Sequence, residues 1–243
     1  MNKIGAVPIT FKEELLKAQK LSTAIYKLTH ELKNPLSVCN GYLEMMEYCD
    51  DRKRDKYLSI ITEEIRRSIH IINDYSEFGK IKKLEKEVFD FSFLMEEVSE
   101  KLRDLFKTKQ AKIIYNYQQE HFLYGDYRRI EQVMINLLKN SFESRNKDCL
   151  WVKVIVKEYQ TKTIISIQDN GKGMNDKELN QLRKEFYTTK KHGTGLGIPF
   201  CEEIMSLHAG NLHIYSKEGM GTRISLSFPK QKSPKTFSNN NYN

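Results

Sequence analysis

The feature that most constrains the fold is a regular apolar repeat near the N-terminus. Apolar or helix-compatible residues recur at alternating steps of four and three, the heptad pattern of a helix that packs against another helix. They are Leu21, Ile25, Leu28, Leu32, Pro35, Cys39, Tyr42 and Met46. The repeat predicts one long helix from about Thr10 to Glu47, bent at Pro35, where a backbone hydrogen bond is lost.

A second amphipathic segment follows a short polar stretch. It runs from about Asp55 to Lys82, and its apolar stripe consists of Leu58, Ile61, Ile65, Ile69 and Ile72. Two long helices joined by a short turn predict an antiparallel hairpin. Because such a hairpin cannot bury both stripes well by itself, we expect a homodimer through residues 10–82, with a four-helix bundle across a two-fold axis. The alternative is a hairpin that packs on a C-terminal domain of the same chain.

His30 is predicted to face away from the apolar repeat. It lies two residues from both Leu28 and Leu32, and two residues correspond to about 200° around an α-helix. Glu31 is its immediate neighbour, and Asn34 lies one turn further along the same face. A lone histidine is most often an ordinary surface or core residue. A solvent-facing histidine beside a carboxylate, followed by Asn-Pro in a helix with a heptad pattern, is harder to explain in that way.

The composition indicates a charged, soluble chain without a membrane segment. Of the 243 residues, 39% are hydrophobic and 30% are charged. The longest aliphatic runs fall far short of the roughly 20 residues that span a bilayer. The N-terminus lacks the apolar core of a signal peptide, and the scattered cysteines favour reduced thiols over metal ligands. We therefore expect a cytoplasmic protein.

The net charge of +8 raises the question of a polyanionic partner. Basic residues are interspersed with acidic ones along the sequence, and no recognised nucleic-acid motif accompanies them. We interpret the charge mainly as solvated surface, with some attraction for nucleotide phosphates or an acidic protein, and we expect no nucleic-acid partner. A basic nucleic-acid-binding module is a competing hypothesis, and it predicts salt-dependent DNA binding.

The pattern changes at Val88, from which helices and strands are mixed. Helices are predicted at 92–107, with Ser92 as N-cap, and at 126–144, 176–185 and 195–208. Strands are predicted at 112–117 and in two hairpins, 151–159 with 163–168 and 211–216 with 222–228. The second domain is therefore predicted to be an α/β sandwich, and the fold class of the whole chain is α+β.

The predicted domain organisation has five parts. They are a short N-terminal segment at 1–9, the helical hairpin at 10–82, a charged linker at 83–87, the α/β domain at 88–229 and a disordered tail at 230–243.

A pair of asparagines on one predicted helix is a candidate metal site. Asn136 and Asn140 are one turn apart and share a face, and Lys139 lies between them as a further candidate cofactor-binding residue. Amide oxygens suit a Mg²⁺ ion that keeps waters and takes its other ligands from phosphates. The alternative is a polar stripe on a surface helix.

A glycine-containing segment follows the predicted strand at 163–168. Asp169 stands at the strand end, where its carboxylate can accept a hydrogen bond from an adenine amino group. Gly171 and Gly173 permit a close approach of the backbone to a ligand. The alternative is an ordinary turn, but the segment is too long for a simple hairpin.

A second glycine-containing segment opens the predicted helix at 195–208. Its residues are Gly193, Thr194, Gly195, Leu196 and Gly197. Backbone N–H groups at a helix N-terminus bind phosphate, and Lys190 adds positive charge. The spacing fits neither the dinucleotide-binding fingerprint nor the Walker A loop. Glycines on both sides of residues 174–192 predict a mobile lid over a nucleotide.

In their order along the chain, these segments resemble the sequence boxes of the HisKA-type sensor histidine kinases. Residues 30–36 resemble the H box, 136–140 the N box, 169–173 the G1 box, 186–190 the F box and 193–197 the G2 box. The resemblance extends from about residue 15 to 228, and its details are similar to sporulation kinases of spore-forming bacteria. It implies a dimerisation and histidine-phosphotransfer hairpin followed by a Bergerat-type ATP-binding domain.

The resemblance also implies an activity and a role for each site residue. ATP would phosphorylate His30, with Glu31 accepting or orienting the imidazole proton. Mg²⁺ would bind Asn140 and Asn136, Asp169 would select adenine, and Lys190 and the loop amides would bind phosphate. The phosphoryl group would pass to an aspartate of a response-regulator receiver domain, and Asn34 would support dephosphorylation of that regulator.

Competing functions of other classes accompany this expectation. One is a non-catalytic protein of the same fold that sequesters a regulator or kinase, and another is a serine-directed kinase. The family usually has a sensor upstream, so this sequence is either the catalytic portion of a longer protein or a kinase that takes its signal from a sensor or regulatory partner. Its natural-looking start favours a complete chain.

Overall fold

The computed structural model describes residues 9–79, 84–109, 111–117, 121–144, 150–184, 187–190 and 193–230. The chain divides into two compact units, a helical hairpin and an α/β sandwich, so the predicted fold class is confirmed. The predicted N-terminal segment up to residue 8 and the predicted tail from residue 231 lie outside the described residues. None of the described helices combines the length and apolar character needed to cross a membrane.

The hairpin consists of α1 (Ile9–Met46) and α2 (Asp51–Gly79). Helix α1 continues through Pro35 over 38 residues. Helix α2 begins four residues earlier than predicted. The reason is a side-chain cap, since Asp50 Oδ1 accepts a hydrogen bond of 3.0 Å from the backbone N–H of Lys53.

The contact between the two helices uses the predicted repeat on α1. Pro35 and Cys39 are buried, and Cys39 Sγ donates a hydrogen bond of 3.7 Å to the carbonyl oxygen of Ile61 on α2. The rings of Tyr42 and Tyr57 are 5.2 Å apart. The side chain of Leu21, the first residue of the repeat, lies outside the described part of the chain.

The predicted stripe on α2 is only partly covered within one chain. Of the five apolar residues predicted to form it, only Ile61 is buried. Two other residues of α2, Ser68 and Ile71, are also buried. The other four residues of the stripe are exposed to 46%, 46%, 52% and 49%, namely Leu58, Ile65, Ile69 and Ile72. The buried positions also include the polar Ser68 and the largely buried Glu64. Exposure of the other four residues in a single chain is what we expect of a hairpin that cannot bury both stripes by itself, and their burial in a dimer stays a prediction.

The α/β unit contains twelve elements in its described residues. They are β1 (Lys86–Asp90), α3 (Phe91–Lys101), α4 (Arg103–Lys109), β2 (Ala111–Asn116), β3 (Phe122–Asp126), α5 (Tyr127–Glu143), β4 (Leu150–Glu158), β5 (Lys162–Asp169), α6 (Asp176–Gln181), α7 (Gly197–Leu207), β6 (Asn211–Lys217) and β7 (Gly221–Pro229).

Five of these strands form one sheet in the order β2-β4-β5-β7-β6. Strand β2 pairs with β4 in parallel, and the other neighbours are antiparallel, so both predicted hairpins are confirmed. Alternate residues of the strands are buried against helices α3, α5 and α7, where Leu94, Ile130, Leu137, Ile165 and Ile204 are inaccessible to solvent. Helices thus cover one face of the sheet, and the core lies between the two layers.

The remaining two strands form a ribbon that was not predicted. Strands β1 and β3 pair antiparallel, with Lys86 opposite Asp126 and Glu87 opposite Gly125. Lys86 and Glu87 had been assigned to the linker at 83–87, so the linker is shorter at this end than predicted. Each strand has only five residues, which is too short for the side-chain alternation to be distinctive.

The helix predicted at 92–107 is two helices, α3 and α4. Ser92 is not its N-cap, because Asp90 takes that position and its side chain accepts a hydrogen bond of 2.8 Å from the backbone N–H of Ser92. The buried Leu102 is the C-cap of α3 and separates the two helices. An aspartate is as good an N-cap as a serine, so the sequence pattern did not decide between the two positions.

Candidate functional site

His30 lies in the middle of α1 and is exposed, as the repeat predicted. Its ring lies beside that of Tyr26, with 6.0 Å between the centroids. Glu31 is half-buried and Asn34 is exposed. No hydrogen bond from the described residues reaches a ring nitrogen of His30. An exposed imidazole with accessible nitrogens is chemically suited to be a nucleophile or a phosphoryl acceptor.

Asp169 is the centre of a polar site in the α/β unit. It ends β5 with only 4% of its surface exposed. Its Oδ1 accepts hydrogen bonds from the backbone N–H groups of Gly171, at 2.9 Å, and Thr222, at 3.2 Å. The Ser144 hydroxyl lies 3.3 Å from the same oxygen. This arrangement fixes the carboxyl plane, so that the second oxygen can be directed at a ligand.

The pKa of Asp169 is raised above its ordinary value mainly because burial disfavours the charged form. The backbone N–H groups of Gly171 and Thr222 and the hydroxyls of Ser141 and Ser144 oppose this shift. A buried carboxyl group held by several donors is typical of a ligand-binding position rather than of a solvated turn.

The glycines of the predicted G1 segment are required by close packing. A Cβ atom on Gly171 would lie 1.9 Å from Ser144 Oγ. Gly173 has φ +65°, and a Cβ there would lie 2.0 Å from the carbonyl oxygen of Lys217. The backbone therefore passes directly against α5 and the end of β6, which no residue with a side chain would allow.

Gly221 and Thr222 belong to the same site, and sequence reasoning assigned them only to a hairpin. Gly221 has φ +98°, and a Cβ there would lie 2.1 Å from the carbonyl oxygen of Asp169. This close approach brings the N–H of Thr222 to the Asp169 carboxylate. The sequence shows only the dipeptide Gly-Thr at the start of a predicted strand. That dipeptide can be connected with Asp169 only when the pairing of β7 with β5 is known.

The predicted metal-binding asparagines lie on α5, where it packs against α7. Asn140 is close to Gly197, since a Cβ on Gly197 would lie 3.9 Å from Asn140 Nδ2. The side chain of Asn136 hydrogen-bonds the buried thiol of Cys201, also on α7. Lys139, between them, is half-buried. The structure thus brings the predicted N and G2 segments together through Asn140 and Gly197.

The start of α7 has the geometry of an anion site. Gly195 adopts φ +67°, the buried Leu196 is the N-cap residue, and Gly197 begins the helix. No side chain caps the helix. The backbone N–H groups of the first turn and the positive end of the helix dipole therefore favour an anion at this point.

The F segment and the start of the G2 segment form a local turn. Thr188 Oγ1 accepts a hydrogen bond of 3.0 Å from Lys190 N, and Gly193 N donates one of 3.3 Å to Lys190 O. A Cβ on Gly193 would lie 2.4 Å from Thr188 Oγ1. Thr194 is half-buried, and Phe186 lies outside the described residues. The proposed phosphate-binding roles of Lys190, Gly193 and Thr194 remain predictions.

A buried histidine fixes the far ends of the two site helices. His208 is the C-cap of α7, and its Nδ1–H donates to the carbonyl oxygen of Ile204 at 2.8 Å. Its Nε2 accepts a hydrogen bond of 2.9 Å from the backbone N–H of Asp126, the N-cap residue of α5. The bond from Asp126 requires an unprotonated Nε2, whereas the Nδ1–H bond to Ile204 is compatible with either charge state, so His208 ties α7 to α5 only when it is uncharged.

This geometry predicts a pH-dependent stability for the α/β unit. Burial, and secondarily the charge of Lys86, lower the pKa of His208 below its ordinary value of 6.5, although the Ile204 carbonyl and Asp126 oppose the shift. Below pH 6.5 the unfolded chain therefore binds a proton that the folded chain does not. We expect the free energy of unfolding to fall as the pH drops from 6.5, by at most about 1.4 kcal/mol per pH unit.

Urea unfolding at a series of pH values from 5 to 7.5 measures this effect. His208→Gln should flatten the dependence, and the exposed His213→Gln should leave it unchanged. An equal slope in the wild-type protein and in His208→Gln would show that His208 is not responsible.

Comparison with known proteins identifies both units. The model of the His Kinase A (phospho-acceptor) domain matches residues 20–84. The model of the histidine kinase-, DNA gyrase B-, and HSP90-like ATPase matches residues 125–232. These ranges contain His30 and the Asp169 site, respectively.

Curated relatives of similar sequence include sporulation kinases of Bacillus subtilis (strain 168). Sporulation kinase B is 29% identical over 227 residues, which cover 91% of this chain and 53% of the relative. Sporulation kinase A is 32% identical over 225 residues, which cover 90% of this chain and 37% of the relative. The chain thus spans about half or less of the length of these relatives.

A solved structure shares the arrangement of elements. It is the histidine kinase ThkA in complex with the response regulator protein TrrA, with a TM-score of 0.75 and 23% identity over 94% of this chain and 68% of that chain. Fold, family models and relatives agree. The chain therefore belongs to the histidine kinases, with a His Kinase A phospho-acceptor domain followed by a histidine kinase-, DNA gyrase B- and HSP90-like ATPase domain.

Proposed function

We propose that this protein transfers the γ-phosphoryl group of ATP to His30. The observation that carries the proposal is the presence, in one chain, of an exposed histidine on a phospho-acceptor hairpin and of the buried Asp169 site in an ATPase domain. A non-catalytic protein that only sequesters a partner would need neither an accessible imidazole nor a preorganised nucleotide site.

The acceptor chemistry rests on three residues of α1. The neutral imidazole of His30 attacks the γ-phosphorus atom of ATP, an N–P bond forms, and the P–O bond to the β-phosphate breaks so that ADP leaves. The proton on the other ring nitrogen is lost in the same step. Glu31, half-buried beside it, accepts or orients that proton. Asn34, exposed one turn away, positions a water molecule for removal of phosphate from the phosphorylated partner.

Nucleotide binding rests on the α/β unit. The Asp169 carboxylate accepts a hydrogen bond from the adenine amino group, while Gly171 and Thr222 hold its other oxygen. The amides at the start of α7, from Gly195 to Gly197, bind phosphate, and Lys139, Lys190, Gly193 and Thr194 contribute to the same phosphates. Mg²⁺ would be held by the amide oxygen of Asn140, with Asn136, and would neutralise phosphate charge.

Incubation with ATP labelled at the γ-phosphate tests the kinase activity. We expect label on the protein that is stable to alkali and labile to acid, as phosphohistidine is. The absence of label with ATP and Mg²⁺, or acid-stable label, would contradict the proposal.

The phosphoryl group is proposed to pass to an aspartate on a response-regulator receiver domain. The solved structure of ThkA with the response regulator protein TrrA supports a partner of this class. Transfer of label from the phosphorylated protein to purified receiver domains, with loss of label from the kinase, tests the step. Asn34→Ala is expected to leave this transfer intact and to slow the later dephosphorylation of the receiver.

The hairpin is proposed to dimerise through the apolar side chains that it leaves uncovered. Leu58, Ile65 and Ile72 are spaced by seven residues on α2, and each is nearly half exposed. On α1, Leu36 and Leu43 are also spaced by seven and are exposed to 53% and 51%. Two such stripes on one hairpin are what a four-helix bundle of two copies would bury.

Ile65→Glu is therefore expected to weaken the dimer at least tenfold, because a carboxylate would be buried in the apolar seam. Lys56→Glu is the matched control, since Lys56 is exposed about 180° around the helix from Ile65. Light scattering coupled to size-exclusion chromatography measures the mass. A dimer that persists in Ile65→Glu, or dissociates equally in the control, would contradict the assignment.

The kinase is proposed to act in the cytoplasm, where ATP and receiver domains are available. Its signal is proposed to come from a sensor segment or from a regulatory partner protein.

A further inference from the structure

The five-stranded sheet leaves one face open. Helices cover the other face, where alternate strand residues are buried. Residues on the open face are exposed or half-buried in all five strands. Cross-strand pairs such as Lys153 with Gln168, Ser166 with Ser225, and Arg223 with Tyr215 identify the residues that share it.

The positively and negatively charged side chains of these strands lie on opposite faces of the sheet. All six lysine and arginine residues lie on the open face, namely Lys112, Lys153, Lys157, Lys162, Lys217 and Arg223. The two carboxylates in the five strands, Glu158 and Asp169, belong to the opposite face. The open face therefore contributes +6 to a chain whose net charge is +8. The sequence alone had suggested an even mixture of charges.

These cations are not neutralised by neighbours. No ion pair in the described part of the chain joins any of the six to a carboxylate. Glu158, at the end of β4, pairs with Lys230 and His121 instead, at 2.7 Å each. Glu218, in the turn after β6, is a carboxylate that directly follows a strand of this face. Unpaired like charges on one surface repel each other, and a polyanionic partner would relieve that repulsion.

The chemistry of the face distinguishes among polyanions. Its middle row consists of Asn116, Ile155, Ser166, Ser225 and His213. The central strands β5 and β7 contribute no aromatic ring to the face, and they separate Trp151 on β4 from the rings on β6, so the face offers no continuous platform on which bases could stack. Five of the six cations are lysines, which protein–protein interfaces disfavour relative to arginine. Nor does the face present a helix that could enter a DNA groove.

A broad lysine-rich face suits a flat anionic surface. The charges lie on all five strands, across roughly 20 Å at about 4.8 Å per strand. A nucleic-acid duplex is a cylinder and would meet only part of such an area, whereas a bilayer meets all of it. Flexible lysine side chains can follow the twist of the sheet, and the exposed Tyr215, at 72%, is a ring of the type found at membrane–water interfaces. We propose that this open face docks on membranes containing anionic phospholipid.

Co-sedimentation with lipid vesicles tests the proposal on the full chain. We expect binding to vesicles of phosphatidylcholine with 30% phosphatidylglycerol, no binding to pure phosphatidylcholine, and release at about 1 M salt, where charges are screened within about 3 Å. The triple variant Lys153→Gln, Lys157→Gln and Lys162→Gln should bind about 100-fold more weakly, since each lysine near an anionic bilayer contributes a factor of about five.

The matched control removes the same charge elsewhere. Lys53→Gln, Lys107→Gln and Lys177→Gln alter three exposed lysines outside the open face and should retain wild-type binding. Circular dichroism establishes that both triple variants are folded. Equal losses in the two variants, or binding to a 20-base-pair DNA duplex or to polyglutamate without binding to the anionic vesicles, would overturn the proposal.

Discussion

His30→Gln is expected to abolish the incorporation of acid-labile phosphate from ATP. Glutamine approximates the polarity and length of histidine, but its amide nitrogen is not nucleophilic, so no N–P bond can form. Because the side chain is exposed on α1, the substitution should not disturb the hairpin. Labelling with γ-labelled ATP is expected to fall at least 100-fold, while the affinity for ATP stays within about twofold of the wild-type value.

A matched variant separates the loss of the acceptor from a general effect of removing a histidine. His213 is also exposed, but it lies on the open face of the sheet. His213→Gln should label as the wild-type protein does. Full acid-labile labelling of His30→Gln would show that the phosphoryl group is carried by another residue.

Asp169→Asn is expected to weaken ATP binding by about 100-fold or more. The carboxylate provides an acceptor for the adenine amino group, and its Oδ1 also satisfies the N–H groups of Gly171 and Thr222. The amide nitrogen that replaces one carboxylate oxygen would face a hydrogen-bond donor, either the adenine amino group or the N–H groups of Gly171 and Thr222. One of these donors therefore loses its acceptor. Loss of a charge-assisted bond together with an unsatisfied buried donor costs about 3 kcal/mol.

Fluorescence titration with a labelled ATP analogue measures this affinity. Asp176→Asn, in the first turn of α6 and exposed, is the control and should bind normally. Thermal unfolding distinguishes weak binding from a failure to fold. Unchanged affinity in a folded Asp169→Asn protein would place the adenine elsewhere.

Local patterns were sufficient to predict much of the fold. The heptad repeat predicted α1 and the exposure of His30, and side-chain alternation predicted the β4–β5 and β6–β7 hairpins. These features depend on residues close in sequence. The burial of Glu64 and Ser68 on α2 was not predicted, because polar residues at buried positions break a hydrophobic pattern.

The parts that were missed depend on contacts between distant segments. Thr222 reaches Asp169 only because β7 pairs with β5 and Gly221 allows a close approach. His208 reaches Asp126 across 82 residues of sequence. Strand β1 exists because β3 pairs with it, although neither strand has a distinctive pattern. The G1 glycines were predicted to permit a close approach of the backbone to a ligand, and the structure adds that Ser144 and the backbone of Lys217 fill the space beside them.

The distribution of charge on the sheet also depends on contacts between segments that are distant in sequence. In sequence, Lys157 is followed directly by Glu158, and β5 contains both Lys162 and Asp169, so the composition of each segment looks mixed. The period of two along each strand assigns them to opposite faces, and the sheet order then joins the basic faces of five strands into one surface.

Mapping of the phosphorylated residue tests whether His30 is the phosphoryl acceptor. The wild-type protein is incubated with ATP and Mg²⁺, kept at alkaline pH, and analysed by tandem mass spectrometry under conditions that preserve phosphohistidine. We predict a single phosphoryl group on the peptide that contains His30, located on His30 itself. Phosphate on a serine, threonine or other histidine, or an unmodified His30 under conditions in which ATP is bound, would show that His30 is not the acceptor.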